Sequence, residues 1–383
     1  MQIAMAGLGT VLLVTSSTGR YGLAGEVAAA GSAGYALVSP LAARLADRFG
    51  QGRVLPPLTL LYGASTAGLI GCAHLRAPGW ALMGCSGLAG AATPQLGSMA
   101  RARWSTLLGG SPLLQAAFSL ESVADEVIFV AGPVLVTVLA TEVYPASGLE
   151  VAAATCVAGS LLLAAQRATE PPASTAGVRR GVRGHLLPAR GLVTLAPVGL
   201  FFGAMLAAID LATVAFAQQH GHKPLAGFIL GGYALGSAAS GLWYGSRTWQ
   251  ASLRRRFTLN LGAAAAGTAT FWAMPGLTVL AAVMLCSGPA VSPMLISGFS
   301  VIERQAPPNR QTEAMAWLTS AISVGTAVGS TAAGQIIDTA GARWGYGLAA
   351  TFAVAAVLTC LLGLTKLTVP TVAPTPYETQ RIQ

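Results

Sequence analysis

The chain has very little charge. Asp, Glu, Lys and Arg make up only 9% of its 383 residues, while hydrophobic types reach 54%, which leaves too few polar groups to cover a water-soluble surface. It also lacks a cysteine framework. Cys72, Cys85, Cys156, Cys286 and Cys360 lie apart, in or beside apolar tracts, where a free thiol behaves as a small hydrophobe and no disulfide set or metal box follows. No Gly-x-x-x-x-Gly-Lys-Ser/Thr run is present, so the sequence offers no phosphate loop for ATP-driven work. His220 and His222 stand two apart beside Lys223, a spacing that does not put both rings on one helical face for a metal. No serine, histidine and acid can be assembled at one depth for hydrolysis. These absences predict a protein that is not an enzyme and takes no cofactor or metal.

What is present is a series of apolar tracts along the whole chain, with a mean hydropathy of +0.63. Reading each as a bilayer crossing predicts spans near 2–19, 22–43, 54–73, 79–99, 111–139, 146–165, 191–217, 225–245, 257–275, 277–301, 312–337 and 343–364, each close to the length a membrane helix needs. The first tract is short at its front edge and lacks the basic stretch of a cleaved leader. It is therefore expected to be retained as a span, with a start assigned too far downstream accounting for its shortness.

The net charge of +9 does not point to nucleic acid, because the arginines fall in short segments between the apolar tracts and form no binding face. Placing both termini in the cytoplasm puts all but four of the 22 Lys and Arg residues inside. Only Arg20, Arg76, Lys223 and Arg343 face outward, a strong bias under the positive-inside rule. The longest polar interruption, 166–190, carries Arg167, Arg179, Arg180, Arg183 and Arg190. It divides the chain into a first half, 1–165, and a second half, 191–364, followed by a proline-bearing tail, 365–383. Two six-span halves fit a carrier built from related repeats around a central pathway.

The tract from Ala43 to Arg53 resembles the loop between the second and third helices of the major facilitator superfamily. Asp47, Arg48, Gly50 and Arg53 match that pattern; Ala43 stands where glycine is usual and Gln51 where a base is common. The resemblance implies an all-α polytopic membrane protein, with twelve transmembrane helices in two six-helix bundles that rock around a solute site. It further implies a cytoplasmic gate with Asp47 as its acid and Arg48 and Arg53 as charge partners. The matching tract Gly241 to Arg247 has Gly245 where the acid would fall, so such a gate would be asymmetric. Gly132-Pro133 partly resembles the helix-five signature of family antiporters, and suits a bend beside a moving interface. Helix four has no basic residue between Trp80 and Met99, where proton-coupled exporters of the family often resemble one another in carrying an arginine.

Acids inside apolar spans are costly unless they face protein, water, a cation or a proton. Glu121, Asp125 and Glu126 all fall on the fifth span and Asp210 on the seventh. Glu121 and Asp125 are four apart and share a helical face, which predicts a pair able to exchange a proton. Glu126 lies about 100° around the helix from Asp125 and points elsewhere. Glu313 begins the eleventh span, where a helix N-terminus favours an acid for structural reasons. Gly325, Gly329 and Gly334 offer a close-packing face on that span. Arg254, Arg255 and Arg256 are expected to hold a helix end against anionic headgroups.

The function this predicts is secondary active transport by a monomer in a bacterial inner or plasma membrane, surrounded by lipid. A small amphipathic or cationic compound would leave in exchange for protons, with Phe118, Phe129, Phe202, Phe216, Phe228 and Tyr233 available to line an apolar pocket. The alternatives are a facilitator or proton symporter for a neutral nutrient, which would want more central amides than Gln95 and Gln115, and a non-transporting receptor or scaffold.

Overall fold

The computed structural model describes residues 2–111, 113–173, 190–222, 225–247 and 249–367. Its regular elements are helices: α1 (Gln2–Thr18), α2 (Tyr21–Phe49), α3 (Gln51–His74), α4 (Gly79–Ala91), α5 (Leu96–Leu108), α6 (Leu113–Glu142) and α7 (Ser147–Ala165) in the first half. The second half holds α8 (Leu192–Gln219), α9 (Leu225–Gly245), α10 (Leu253–Phe271), α11 (Leu277–Ser287), α12 (Val291–Gln305), α13 (Gln311–Ala340) and α14 (Ala342–Leu362). By length and composition, seven stretches among the described residues can cross a membrane. Arg179, Arg180 and Arg183, with Lys223 and Arg381, lie outside the described residues. Of the predicted tail only 365–367 is described, and it continues a short 3-10 turn whose Leu367 is buried.

Each predicted span falls on one helix, except the fourth and tenth, which fall on two. Helix four is interrupted at 92–95, between α4 and α5, and its tenth counterpart passes through a 3-10 turn at Gly288–Ala290 between α11 and α12. Pro94 and Pro289 sit in these interruptions, where a missing N–H and a fixed φ disfavour a continuous helix. The expected bend at Gly132-Pro133 is not a break: α6 runs through Pro133 without interruption, because membrane helices tolerate a proline when neighbouring groups meet the freed carbonyls. Helix four also runs nine residues further along the chain than predicted, so Arg101 and Arg103 are helical, not in a loop.

Within the first half α2 packs on α4 and α3 on α7; within the second, α8 packs on α13 and α14, and α10 on α12 and α14. The halves meet where α2 touches α13 and α6 touches α9. Small residues allow the closest approaches. A side-chain carbon at Gly325 would stand 1.8 Å from the Leu200 carbonyl oxygen, and one at Gly329 would stand 2.3 Å from that of Ala204, so α13 and α8 are in backbone contact there. Gly334 does not belong to that contact; its nearest neighbour is Leu211, at 4.0 Å. Phe202, Phe216, Phe257, Phe271 and Tyr346 fill the second half's core. Cys72 and Cys85, unrelated by sequence spacing, are brought together with their sulfurs 4.0 Å apart on α3 and α4.

Candidate functional site

Asp47 lies in the last turn of α2, four residues past the predicted inner end of that span, where its own helix dipole disfavours an acid. Its compensation comes from another helix. Thr312 and Glu313, at the start of α13, donate their backbone N–H groups to its two carboxylate oxygens at 3.3 and 2.9 Å, which satisfies two amides that a helix N-terminus leaves free. Burial pushes the Asp47 carboxyl up to about 7, against the opposing effect of these hydrogen bonds. Arg310 closes the cluster with a two-pronged contact on Glu313, 2.8 Å on each prong, and those hydrogen bonds raise its own pKa. Higher on the same interface, the hydroxyls of Ser39 and Ser320 meet. The cation of this clasp is thus Arg310, reached through Glu313. Arg48 is exposed and lies over the ring of Phe49, Arg53 is exposed, and the structure brings neither to Asp47.

A second contact between the halves joins α6 to α9. Gln115 donates to the carbonyls of Tyr244 at 2.7 Å and Arg247 at 3.1 Å, and accepts from Arg256 at 2.9 Å. Ser119 donates to the Gly241 carbonyl. Where the acid is missing, at Gly245, a side-chain carbon would stand 2.3 Å from Ser119 Cβ. The absence of an acid here therefore comes with backbone proximity. Arg256 is drawn inward beside Tyr244 and Trp249, with burial lowering its pKa, so it does not project toward lipid headgroups as the sequence predicts.

The acids of the fifth span divide among different partners. Asp125 takes the Arg101 guanidinium of α5 at 2.5 Å, with Arg101 nearly buried and the Asp125 side chain 45% exposed. Glu121 accepts from the Trp104 indole at 3.1 Å. The two acids share a face, as spacing predicts, but each has its own donor. Moving outward from the turn between α5 and α6, three residues on one helix match four on the next, an antiparallel register visible in sequence once the longer helix four is granted. Arg101 is the functional candidate that sequence reasoning misses, because a fourth span ending at residue 99 leaves it outside the helix. It also lies over the Phe299 ring of α12, 4.2 Å from its centre.

Glu126 reaches across to the second half. Ser237 of α9 donates to it, and so does Ser292 of α12 at 3.3 Å; the two serine hydroxyls are themselves 3.0 Å apart. Asp210 on α8 has no ion pair among the described residues. The residue is exposed, although protein surrounds it densely. It lies within electrostatic reach of Glu126, as does Tyr233. Tyr35 of α2 donates to Gln95 at 3.2 Å and lies near Ser323 of α13 and Asp125. Phe118, Phe202 and Phe216 are buried packing residues and Phe228 is outward-exposed; the Phe129 side chain lies outside the described residues. Among the described residues no group of three or more His, Cys, Asp or Glu is placed to hold a metal.

The sequence profile of the Major Facilitator Superfamily matches residues 193–381. A search of curated proteins gave no sequence match. Among solved structures, the human organic anion transporter MFSD10 (TETRAN) aligns over 95% of this chain and 89% of its own, at 19% identity and a TM-score of 0.67. A bacterial homologue of the iron transporter ferroportin, in an outward-facing state, aligns over 94% and 98% at 14% identity and 0.68. The Escherichia coli fucose:proton symporter FucP aligns over 94% and 98% at 14% identity and 0.65. These likenesses establish the fold along nearly the whole chain, and the second half, from residue 193 onward, is similar in sequence to the Major Facilitator Superfamily.

Proposed function

We propose that the chain is a proton-coupled exporter of a small amphipathic cation, working by alternating access in a bacterial inner or plasma membrane. In this reading twelve crossings form two six-helix bundles, 1–165 and 191–364, joined by 166–190, with both termini cytoplasmic. The observation that carries it is that two acids on apolar helices of opposite halves, Glu126 on α6 and Asp210 on α8, have no basic partner among the described residues. An acid pair in such a place can take a proton or a cation and binds both poorly at once, which is the competition an exchanger needs. Asp125 is neutralised by Arg101 and serves as a secondary site; Glu121 anchors α5 to α6.

In the cycle, a cation binds from the cytoplasm at Glu126 and Asp210. Closure of the inner contacts, Asp47 on α13 and Gln115 on α9, then favours the outward-open conformer. A proton entering from outside neutralises an acid and weakens the cation's hold. The proton's release inward resets the carrier. Coupling exists only if both ligands bias the same conformational equilibrium.

The test is proton movement reported by a dye in proteoliposomes on addition of cationic and neutral amphipathic compounds, with Asp125→Asn, Glu126→Gln and Asp210→Asn alongside. The reading expects cation-triggered proton flux, lost in Glu126→Gln and Asp210→Asn and reduced in Asp125→Asn. Solute flux without proton movement would instead identify a facilitator, and flux of protons with a neutral solute a symporter.

A further inference from the structure

The interruption of helix four leaves an unusual set of donors. Gln95, Ser98 and Arg101 are 2%, 2% and 3% exposed, yet among the described residues Gln95 Nε2, Ser98 Oγ and Arg101 Nε have no hydrogen-bond partner. A buried, unmade hydrogen bond costs roughly 1–3 kcal/mol, so three within seven residues need an explanation. They surround the start of α5, a 13-residue helix whose N-cap, Gln95, makes no side-chain cap. Its first backbone amides therefore add free donors and the positive end of a helix dipole.

Arg101 is turned toward this helix start. A side-chain carbon at Gly97 would stand 3.1 Å from Arg101 Nη1, so the guanidinium lies back along the first turn and glycine leaves it room. Its Nη2 holds Asp125 at 2.5 Å, which leaves Nε uncommitted. Tyr35 ties Gln95 to the interface with α13, and the half-exposed Asp125 side chain marks open space beside the cluster. Every unsatisfied group here is a donor or can act as one, and among the described residues the only anion in contact with Arg101 is Asp125, which engages one of its nitrogens.

The geometry points to a carboxylate-binding seat at the helix-four break, formed by the α5 N-terminus, Ser98, Gln95 and Arg101, for a carboxylate carried by the transported solute. The solute's carboxylate oxygens accept from Arg101 Nε, the Ser98 hydroxyl and the Gln95 amide, with Arg101 bridging it to Asp125. Broken membrane helices aim their half-helix N-termini at anionic groups of solutes in this way, and arginine's planar fork suits bridging two carboxylates. Resting on the reading that Glu126 and Asp210 take a cation, the seat narrows the solute class to amphipathic zwitterions.

The test is thermal unfolding of the purified full chain in detergent with four matched probes: 3-phenylpropionate, its neutral amide 3-phenylpropanamide, phenethylamine and phenylalanine. The seat predicts that 3-phenylpropionate and phenylalanine raise the Tm saturably and the amide does not. Ser98→Ala, which leaves the Arg101–Asp125 pair in place, should need about tenfold more of either carboxylate, the loss expected for one hydrogen bond to a charged group. Arg101→Lys should abolish the saturable shift. A propionate no better than its amide, or a Ser98→Ala response equal to wild type, would overturn the seat. The phenethylamine arm separates the two claims: if the amine fails to shift the Tm while the carboxylates succeed, the cation-export reading falls and the seat stands.

Discussion

The two contacts between the halves, α2 with α13 and α6 with α9, use opposite chemistry. At α2 and α13 a carboxylate sits on a helix N-terminus, with Arg310 and Glu313 behind it. At α6 and α9 an amide, Gln115, sits on the carbonyls at a helix C-terminus, and a glycine replaces the acid. A helix N-terminus offers donors and a C-terminus offers acceptors, so one partner must be an acceptor and the other a donor. The asymmetry seen in the sequence is therefore complementarity to opposite helix ends. It also gives only one of the two contacts a titratable group.

Four experiments break or sharpen that comparison. The largest effect is expected from Gly245→Leu, because a side chain at that position meets Ser119 with no room to shift. The α6–α9 contact should fail to close, and cysteine-accessibility mapping of the inner ends should find the carrier held inward-open with transport lost. Next is Asp47→Ala, which strands the α13 amides of Thr312 and Glu313. Each stranded donor costs about 1–3 kcal/mol, so the same mapping should show the closed population falling by roughly tenfold or more. Gln115→Leu should cost less, about 1 kcal/mol or some fivefold in that population, because the Ser119 contact on Gly241 remains.

The smallest effect is the pH response. In the closed form burial holds the Asp47 carboxyl at about 7; once released to water it should titrate in the ordinary aspartate range. The closed form then binds the extra proton, so its contribution is fully present below the ordinary range and is lost as pH rises through about 7. Closure should therefore strengthen on acidification. Asp47→Asn should flatten this dependence and weaken closure less than Asp47→Ala, because it keeps one of the two acceptor oxygens, and Arg48→Ala or Arg53→Ala should leave it unchanged, since neither side chain touches the clasp.

The fold was largely legible in the sequence because the bilayer imposes its own period: apolar stretches of crossing length, separated by arginine-bearing turns, repeat along the chain. Asp47 was legible as a candidate because the tract around Gly50 carries a recognisable spacing. Its partner was not, since Thr312 and Glu313 contribute backbone amides, which no side-chain pattern reveals. Arg101 was missed for a different reason. An arginine at the end of an apolar run reads as the start of a loop, yet its long side chain can reach back into the protein while its Cα stays in helix. The Ser237 and Ser292 partners of Glu126 leave almost no trace, because serines in membrane helices usually bond their own backbone. Pro94 and Pro289 were visible, but periodicity does not say which prolines a helix absorbs, as Pro133 is, and which interrupt it.

The central claim is that Glu126 and Asp210 hold either a proton or a cation. It is tested most directly by adding an amphipathic cation such as phenethylamine to the purified carrier in weakly buffered detergent near neutral pH and recording proton release. Saturable release in wild type that disappears in Asp210→Asn and Glu126→Gln is the predicted result. Saturable binding of the cation with no proton released would contradict it.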